Sequence, residues 1–188
     1  MRTTVEHGLV PGDAVRAAAV VSLAVGLLSL GGVAGALFLL VLGGLFVPRY
    51  LGLPAALDVS FGAGLLFAAW AAQLGWYEIV PWLDLLVHAA CTGLVAAVGV
   101  IALVRGQVLE AVVRPGRARF GMVLVATGVG ALGAILWELG EWAGHTALDD
   151  DIVVGYTDTV TDLASGLLGA LLAGVVLAVR SSRTAVCT

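Results

Sequence analysis

The sequence predicts an all-α polytopic membrane protein, a transmembrane helical bundle of six spans with both termini cytoplasmic. Three observations predict it. Hydrophobic residues make up 61% of the 188 and charged residues only 12%, with a mean hydropathy of +1.08, whereas soluble domains carry about a quarter charged residues. Apolar runs long enough to cross a hydrocarbon core of ~30 Å recur along the whole chain between breakers and charges. The arginines, in a chain that has no lysine, all fall on one side of the membrane when those runs alternate in direction. Each span needs about 20 residues plus a short loop. Residues 1–188 are therefore read as one integral membrane domain, with no length left for a separate soluble one.

The expected helices are 14–31, 33–48, 55–76, 82–104, 120–144 and 157–179. The first two come from an almost unbroken apolar stretch, residues 17–47, which as one straight helix would extend roughly 46 Å at a rise of ~1.5 Å per residue. Gly31-Gly32 is the natural point to reverse it, because glycine adopts left-handed conformations at no steric cost. Hydropathy alone leaves two short spans, one strongly tilted helix and a partly re-entrant segment open. Pro54 and Pro81 stand near the starts of the third and fourth helices, where a missing N–H costs nothing. Glycines 62, 64, 93, 128, 130, 133, 140, 144, 166, 169 and 174 lie within the last four helices and are read as positions where backbones approach closely. Trp76, Tyr77, Trp82, Trp137, Trp142 and Tyr156 collect near one set of helix ends, as an interfacial belt does.

Arginine chooses among the readings of the first stretch. With six spans, Arg2, Arg16, Arg49, Arg105, Arg114, Arg117, Arg119, Arg180 and Arg183 share the cytoplasmic side. Merging the first two helices would carry Arg2 and Arg16 across the membrane. Glu78 and the run Asp149, Asp150, Asp151 then face the opposite side, where the run reads as a solvated loop. Cys91 is inside an apolar segment and Cys187 beside the C-terminus, so no structural disulfide is expected.

Against this background six ionisable side chains stand out: Asp84 and His88 in the fourth helix, Glu138 and Glu141 in the fifth, Asp158 and Asp162 in the sixth. A charged group at mid-membrane costs roughly 2.5–3.5 kcal/mol on insertion scales, so such residues are retained for function or paired. Spacings of i,i+4, i,i+3 and i,i+4 put each pair on one helix face. Alternating helix directions bring all three faces to the outer third of the bundle. Five acids with one histidine and no internal arginine form a net negative cluster, which only protons, a bound cation or water can neutralise. One reading is therefore a divalent-metal site with Glu138, Glu141, Asp158, Asp162 and His88 as ligands and Asp84 with His88 as the catalytic pair; oxygen-rich ligation suits Mg, Ca or Mn, and the imidazole admits Zn or Fe. A second is metal-free acid–base chemistry between a carboxylic acid and His88. A third is purely structural, the groups hydrogen-bonding one another, with Asp84 and Asp158 compensating helix dipoles.

Around the cluster, His145 continues the face of Glu141, and Asp58 and Gln73 are candidates for an outer ring, Asp58 also being placed to offset a helix dipole. Thr159, Thr161 and Ser165 flank the last acidic pair and are expected to bond locally. There is no phosphate-binding glycine loop, nucleophile elbow or CxxC motif. The arginines between 105 and 119 read as lipid-headgroup and topology determinants, which leaves membrane lipids and an amphiphilic envelope substrate as partners and excludes nucleic acid.

The ordered motifs Asp84-x-x-x-His88, then Trp137-Glu138-Leu139-Gly140-Glu141-Trp142, then Asp158-Thr159-Val160-Thr161-Asp162 followed by Gly169-Ala170 resemble the YjdF-type membrane proteins, a domain family of unknown function, and more distantly the VanZ-like proteins. The resemblance spans roughly residues 33–180. Those families often carry a basic residue after the first Asp and an aromatic after the His, where this chain has Leu85 and Ala89. VanZ-like members are associated with glycopeptide-antibiotic tolerance, so the resemblance implies a cell-envelope setting. Taken together, the expected function is a metal- or proton-dependent enzyme acting on a lipid-linked or envelope substrate; a proton- or cation-coupled transporter and a non-catalytic scaffold are the alternatives. A reporter fused after residue 151 should read extracytoplasmic; cytoplasmic activity there would overturn the six-span topology.

Overall fold

A computed structural model of the chain describes residues 8–108, 118–150 and 152–186, with side chains in the last segment described through Arg180. Arg2, Arg114, Arg117, Asp151 and Cys187 lie outside these residues, as does the side chain of Arg183. Among the described residues all regular structure is helical. Six helices among the described residues are long and apolar enough to cross a membrane: Gly12–Leu30, Gly32–Leu51, Ala55–Gln73, Pro81–Arg105, Ala118–Ala147 and Tyr156–Arg180. The chain divides into two compact units, Met1–Val80 and Pro81–Thr188.

In the first unit, α1 (Gly12–Val25) widens into a π-helical turn, Gly26–Leu30, and stops at Gly31. Gly31 has φ 102° and ψ −174°, a region reserved for glycine, and the reversal there starts α2 (Gly32–Leu51). The Gly31-Gly32 break expected from sequence is thus the turn itself. Gly52, at φ 60°, ends α2 by donating its N–H to Arg49 and Pro48 carbonyls. α3 (Ala55–Gln73) follows Pro54 and stops three residues short of the expected 76, because Gly75 turns left-handed at φ 64° and the chain re-forms as a single helical turn, α4 (Trp76–Ile79). Trp76 packs its ring on Phe67 at 5.6 Å between centroids, and the Tyr77 hydroxyl donates to the Ala68 carbonyl, folding α4 back on the end of α3.

Buried Ala19, Phe38, Val41, Leu45 and Ala69 form the core of this unit. Its polar centre is Arg16, only 6% exposed. Arg16 donates from Nη2 to Asp58 at 2.5 Å, from Nη1 to Asp13 at 2.9 Å and from Nε to the Leu45 carbonyl at 3.0 Å. The start of α1, the end of α2 and the start of α3 therefore meet at one end. Farther along, the Trp70 indole donates to Ser22 Oγ at 2.9 Å, holding α3 beside α1 in parallel register. Asp58 is 5% exposed, so its main role is that of a buried counter-ion and not only a dipole-compensating acid.

In the second unit, α5 (Pro81–Arg105), α6 (Ala118–Ala147) and α7 (Tyr156–Val186) pack pairwise as a three-helix bundle. The contacts of small residues fix its register. A Cβ placed on Gly166 would lie 2.8 Å from Thr92 Oγ1, one on Gly93 2.9 Å from the Gly169 carbonyl, and one on Gly169 would collide with the Ala89 carbonyl. From His88 beside Asp162, to Thr92 beside Gly166, to Ala96 and Ala170 both against Gly130, positions on α5 and α7 increase together, so the two helices run parallel. α6 runs against both: Gly133 faces Val95, Gly130 faces Ala96 and Ala170, and Gly174 faces Val123 and Ala126. Lipid offers helices no hydrophobic drive to associate, so backbone approach at small residues supplies the contact, and the remaining core is correspondingly small-chained: Ala96, Val100, Ala126 and Ala170. Leucines such as Leu86, Leu124, Leu136, Leu168 and Leu172 point outward, as lipid-facing positions require.

Removing one partner of a buried ion pair strands the other charge and costs about 3–5 kcal/mol. Arg16→Met should therefore lower the unfolding free energy in detergent by that order, and Arg16→Met combined with Asp58→Leu should recover most of it. Equal loss in the single and double variants would show that the pair does not carry this end of the unit.

Candidate functional site

All six intramembrane ionisable residues singled out from sequence belong to the second unit and sit at one end of its bundle. α5 and α7 start there, at Pro81 and Tyr156, and α6 ends there, at Ala147. His88 and Asp162 are each about 10 Å from the starts of their helices at ~1.5 Å rise per residue, two turns inside. Pro81 at the first position of α5 and Gly155 before α7 let both helices begin abruptly. Arg105 at the end of α5, Arg119 at the start of α6 and Arg180 in the last part of α7 stand at the opposite end.

His88 is the hub. Its Nε2 is 3.5 Å from Asp84 Oδ1, one turn back on the same helix, and 3.9 Å from Asp162 Oδ2 across the α5–α7 contact. Its Nδ1 is 3.9 Å from Glu138 Oε1 on α6. One ligand atom from each of Asp84, His88 and Asp162 lies within 4.8 Å of the others. Atoms coordinating one ion at ~2.0–2.6 Å are themselves roughly 3–5 Å apart, so these three residues have the spacing of a metal half-shell. Asp162 is 3% exposed and is the most buried acid of the group. Glu138 completes the arrangement. Thr159 bonds its carboxylate, while Oε1 is buried with no hydrogen-bond partner. A buried carboxylate oxygen without a hydrogen bond costs about 1–3 kcal/mol or more, and this one faces His88 Nδ1.

Asp158 and Glu141 border this centre. Asp158 is within electrostatic range of Asp84, Glu138 and Asp162, and Glu141 of Glu138, Asp84 and Asp162. Trp137 bonds the Glu141 carboxylate. His145 faces elsewhere: its Nδ1 donates to the Ile152 carbonyl at 2.8 Å, clasping the loop after α6. Thr161 bonds locally to the Thr157 and Asp158 carbonyls. Thr159 and Ser165 do not. Thr159 reaches Glu138 on α6, and Ser165 Oγ donates to the Leu85 carbonyl on α5. These two cross-helix bonds set the level of Asp162 against His88. Sequence gave no signal separating them from ordinary hydroxyls, beyond their i+1 and i+3 offsets from Asp158 and Asp162.

The site and the spans define the class: a multi-pass integral membrane protein with a cluster of acids and one histidine near one end of a helical bundle. The family described as "Predicted membrane protein (DUF2238)" matches residues 14–183, and the chain belongs to that family. No curated protein and no solved structure matches the chain.

The close approach of α5 and α7 yields a direct test. Gly169→Val puts a branched side chain into the Ala89 carbonyl and should cost about 1–3 kcal/mol as overpacking. Gly128→Ala, where an added Cβ meets nothing within 4 Å, should be neutral or slightly stabilising. Thermal unfolding of both variants in detergent checks this; equal behaviour would remove Gly169 as the contact that sets the site's register.

Proposed function

We propose that the cluster is a divalent-cation site and that the protein is a membrane-embedded enzyme carrying out hydrolysis or group transfer on an amphiphilic envelope substrate. What carries this reading is the spacing of Asp84, His88 and Asp162, whose ligand atoms lie within 4.8 Å of one another, beside the unpaired Glu138 Oε1. Five acids gathered around one imidazole carry an excess of negative charge that a dication offsets in a low-dielectric setting. Mixed carboxylate and imidazole ligation favours Mn, Fe or Zn over Ca. A metal held there supplies a Lewis acid for a phosphoryl or carbonyl oxygen and an acidified water at neutral pH. Glu141 and Asp158, which border the centre, would serve as proton acceptors there.

The substrate class follows from depth. The cluster lies about two turns inside one end of the bundle, and exposed Trp82, Trp142 and Tyr156 ring that end as interfacial aromatics do. A headgroup at the interface with its acyl or prenyl chain in lipid reaches such a site. Arg105, Arg119 and Arg180 at the other end support an extracytoplasmic placement of the site end through the positive-inside rule. The resemblance to VanZ-like proteins points to the same envelope setting. Coupled carriers place their acids near the midplane in broken helices, whereas these acids lie near helix ends and α5, α6 and α7 are continuous.

Elemental analysis of the purified protein should find about one Mn, Fe or Zn per chain, and Asp162→Asn or His88→Ala should weaken its binding more than about 100-fold. The same variants should abolish turnover of a lipid-linked substrate in native membranes. Absence of metal with unchanged envelope lipid composition in the variants would sink the proposal, and a cation flux in proteoliposomes dependent on Asp162 would replace it with a carrier.

A further inference from the structure

The two nitrogens of His88 divide the acidic cluster into parts with different tasks. Nε2 faces Asp84 Oδ1 and Asp162 Oδ2, at 3.5 and 3.9 Å. Nδ1 lies on another edge of the ring and faces Glu138 Oε1 at 3.9 Å. A histidine binds one metal through one nitrogen, and the other nitrogen, then carrying the proton, needs an acceptor. Glu138 Oε1 is that acceptor's position: its side chain is 10% exposed, the oxygen is buried without a partner, and Thr159 already engages the carboxylate. A movement of about 1 Å in the imidazole or the carboxylate closes the gap to an N–H···O bond of ~2.8 Å.

Resting on the cation-site reading above, we infer that Glu138 is a positioning residue and not a metal ligand: it holds the His88 Nδ1–H, fixing the tautomer that presents Nε2 to a cation shared with Asp84 and Asp162. The sequence expectation grouped Glu138 with Glu141, Asp158 and Asp162 as equivalent ligands; their shared helix faces do not distinguish a carboxylate in front of the imidazole from one behind it. The division has a physical consequence. A carboxylate behind a metal-bound imidazole raises the ligand's basicity and fixes the ring plane, and its loss costs about 10–100-fold in affinity while the coordination sphere stays the same. Loss of a ligand changes the sphere itself. Thr159, on α7, then serves to hold the Glu138 carboxylate in line, tying α6 to the same centre.

Cobalt(II) is the probe, because its visible spectrum reports coordination number and its titration reports affinity. The full-length chain in detergent would be titrated as wild type, Glu138→Ala, Glu138→Gln and Asp162→Asn, with equal thermal midpoints required of each. Glu138→Ala is expected to bind about 10–100-fold more weakly with an unchanged visible spectrum, Glu138→Gln, which keeps an acceptor oxygen, to recover most of that loss, and Asp162→Asn to alter the spectrum. A Glu138→Ala spectrum altered like that of Asp162→Asn would make Glu138 a direct ligand, and wild-type affinity in Glu138→Ala would deny it any role; either overturns this inference alone. A wild-type chain that takes up no Co(II), Mn(II) or Zn(II) overturns the cation site as well. Should Glu138→Ala unfold, the comparison of Glu138→Gln with wild type decides: a tenfold or greater loss with an altered spectrum contradicts a positioning role, and near-wild-type affinity and spectrum support it.

Discussion

The constraint on which this structure depends is the cost of holding an ionisable group where water is scarce. Burying an unpaired charge costs several kcal/mol even after relaxation, and the two units of this chain meet that cost differently. In the first, Arg16 bonds Asp58, Asp13 and the Leu45 carbonyl at once, so the buried charges are mutually satisfied by the protein's own groups. In the second, Asp84, Glu138, Glu141, Asp158 and Asp162 surround a single imidazole, and among the described residues Arg105, Arg119 and Arg180 stand at the far end of the bundle. The first arrangement is what a structural charge cluster looks like. The second leaves the Glu138 Oε1 oxygen buried without a hydrogen bond, 3.9 Å from His88 Nδ1, and the proposed cation is what would offset the excess of acids.

Packing of small residues is what makes the second arrangement attainable. α5 and α7 approach so closely that Gly169 rests against the Ala89 carbonyl and Gly93 against Gly169, and larger side chains there would separate the helices. Only at that separation can Asp162 on one helix come within 3.9 Å of His88 on the other. Ser165 bonding the Leu85 carbonyl and Thr159 bonding Glu138 lock the vertical register. The helix interface and the site are therefore one construction: the glycines set the distance, and the hydroxyls set the level.

Much of this is legible in the sequence, and the reasons are local. The reversal at Gly31, the starts after Pro54 and at Pro81, and the pairing of Asp84 with His88 follow from backbone rules and helical spacing. So does the gathering of three acidic faces at one end, once alternating helices are assumed. What is not legible depends on which faces meet. Arg16 and Asp58 are 42 residues apart, each about one turn inside its own apolar helix; read singly they look like a topology signal and a dipole-compensating acid, and only the packing of α1 on α3 makes them partners. Gly75 ended α3 early for a similar reason, since a glycine inside an apolar run carries no mark of its sign of φ. The separation of Glu138 from the Asp84, His88 and Asp162 group depends on the rotation of one imidazole ring, which no spacing rule encodes.

We propose that a cation neutralises the acidic cluster of the second unit. Anomalous diffraction from crystals of the full chain grown with Zn(II) or Mn(II) tests it most directly. One strong peak is expected at ~2.0–2.6 Å from carboxylate oxygens of Asp84 and Asp162 and from His88 Nε2, with Glu138 hydrogen-bonded to Nδ1. A cluster without a peak, its carboxylates hydrogen-bonded to one another, would contradict it and leave the six residues as a structural network.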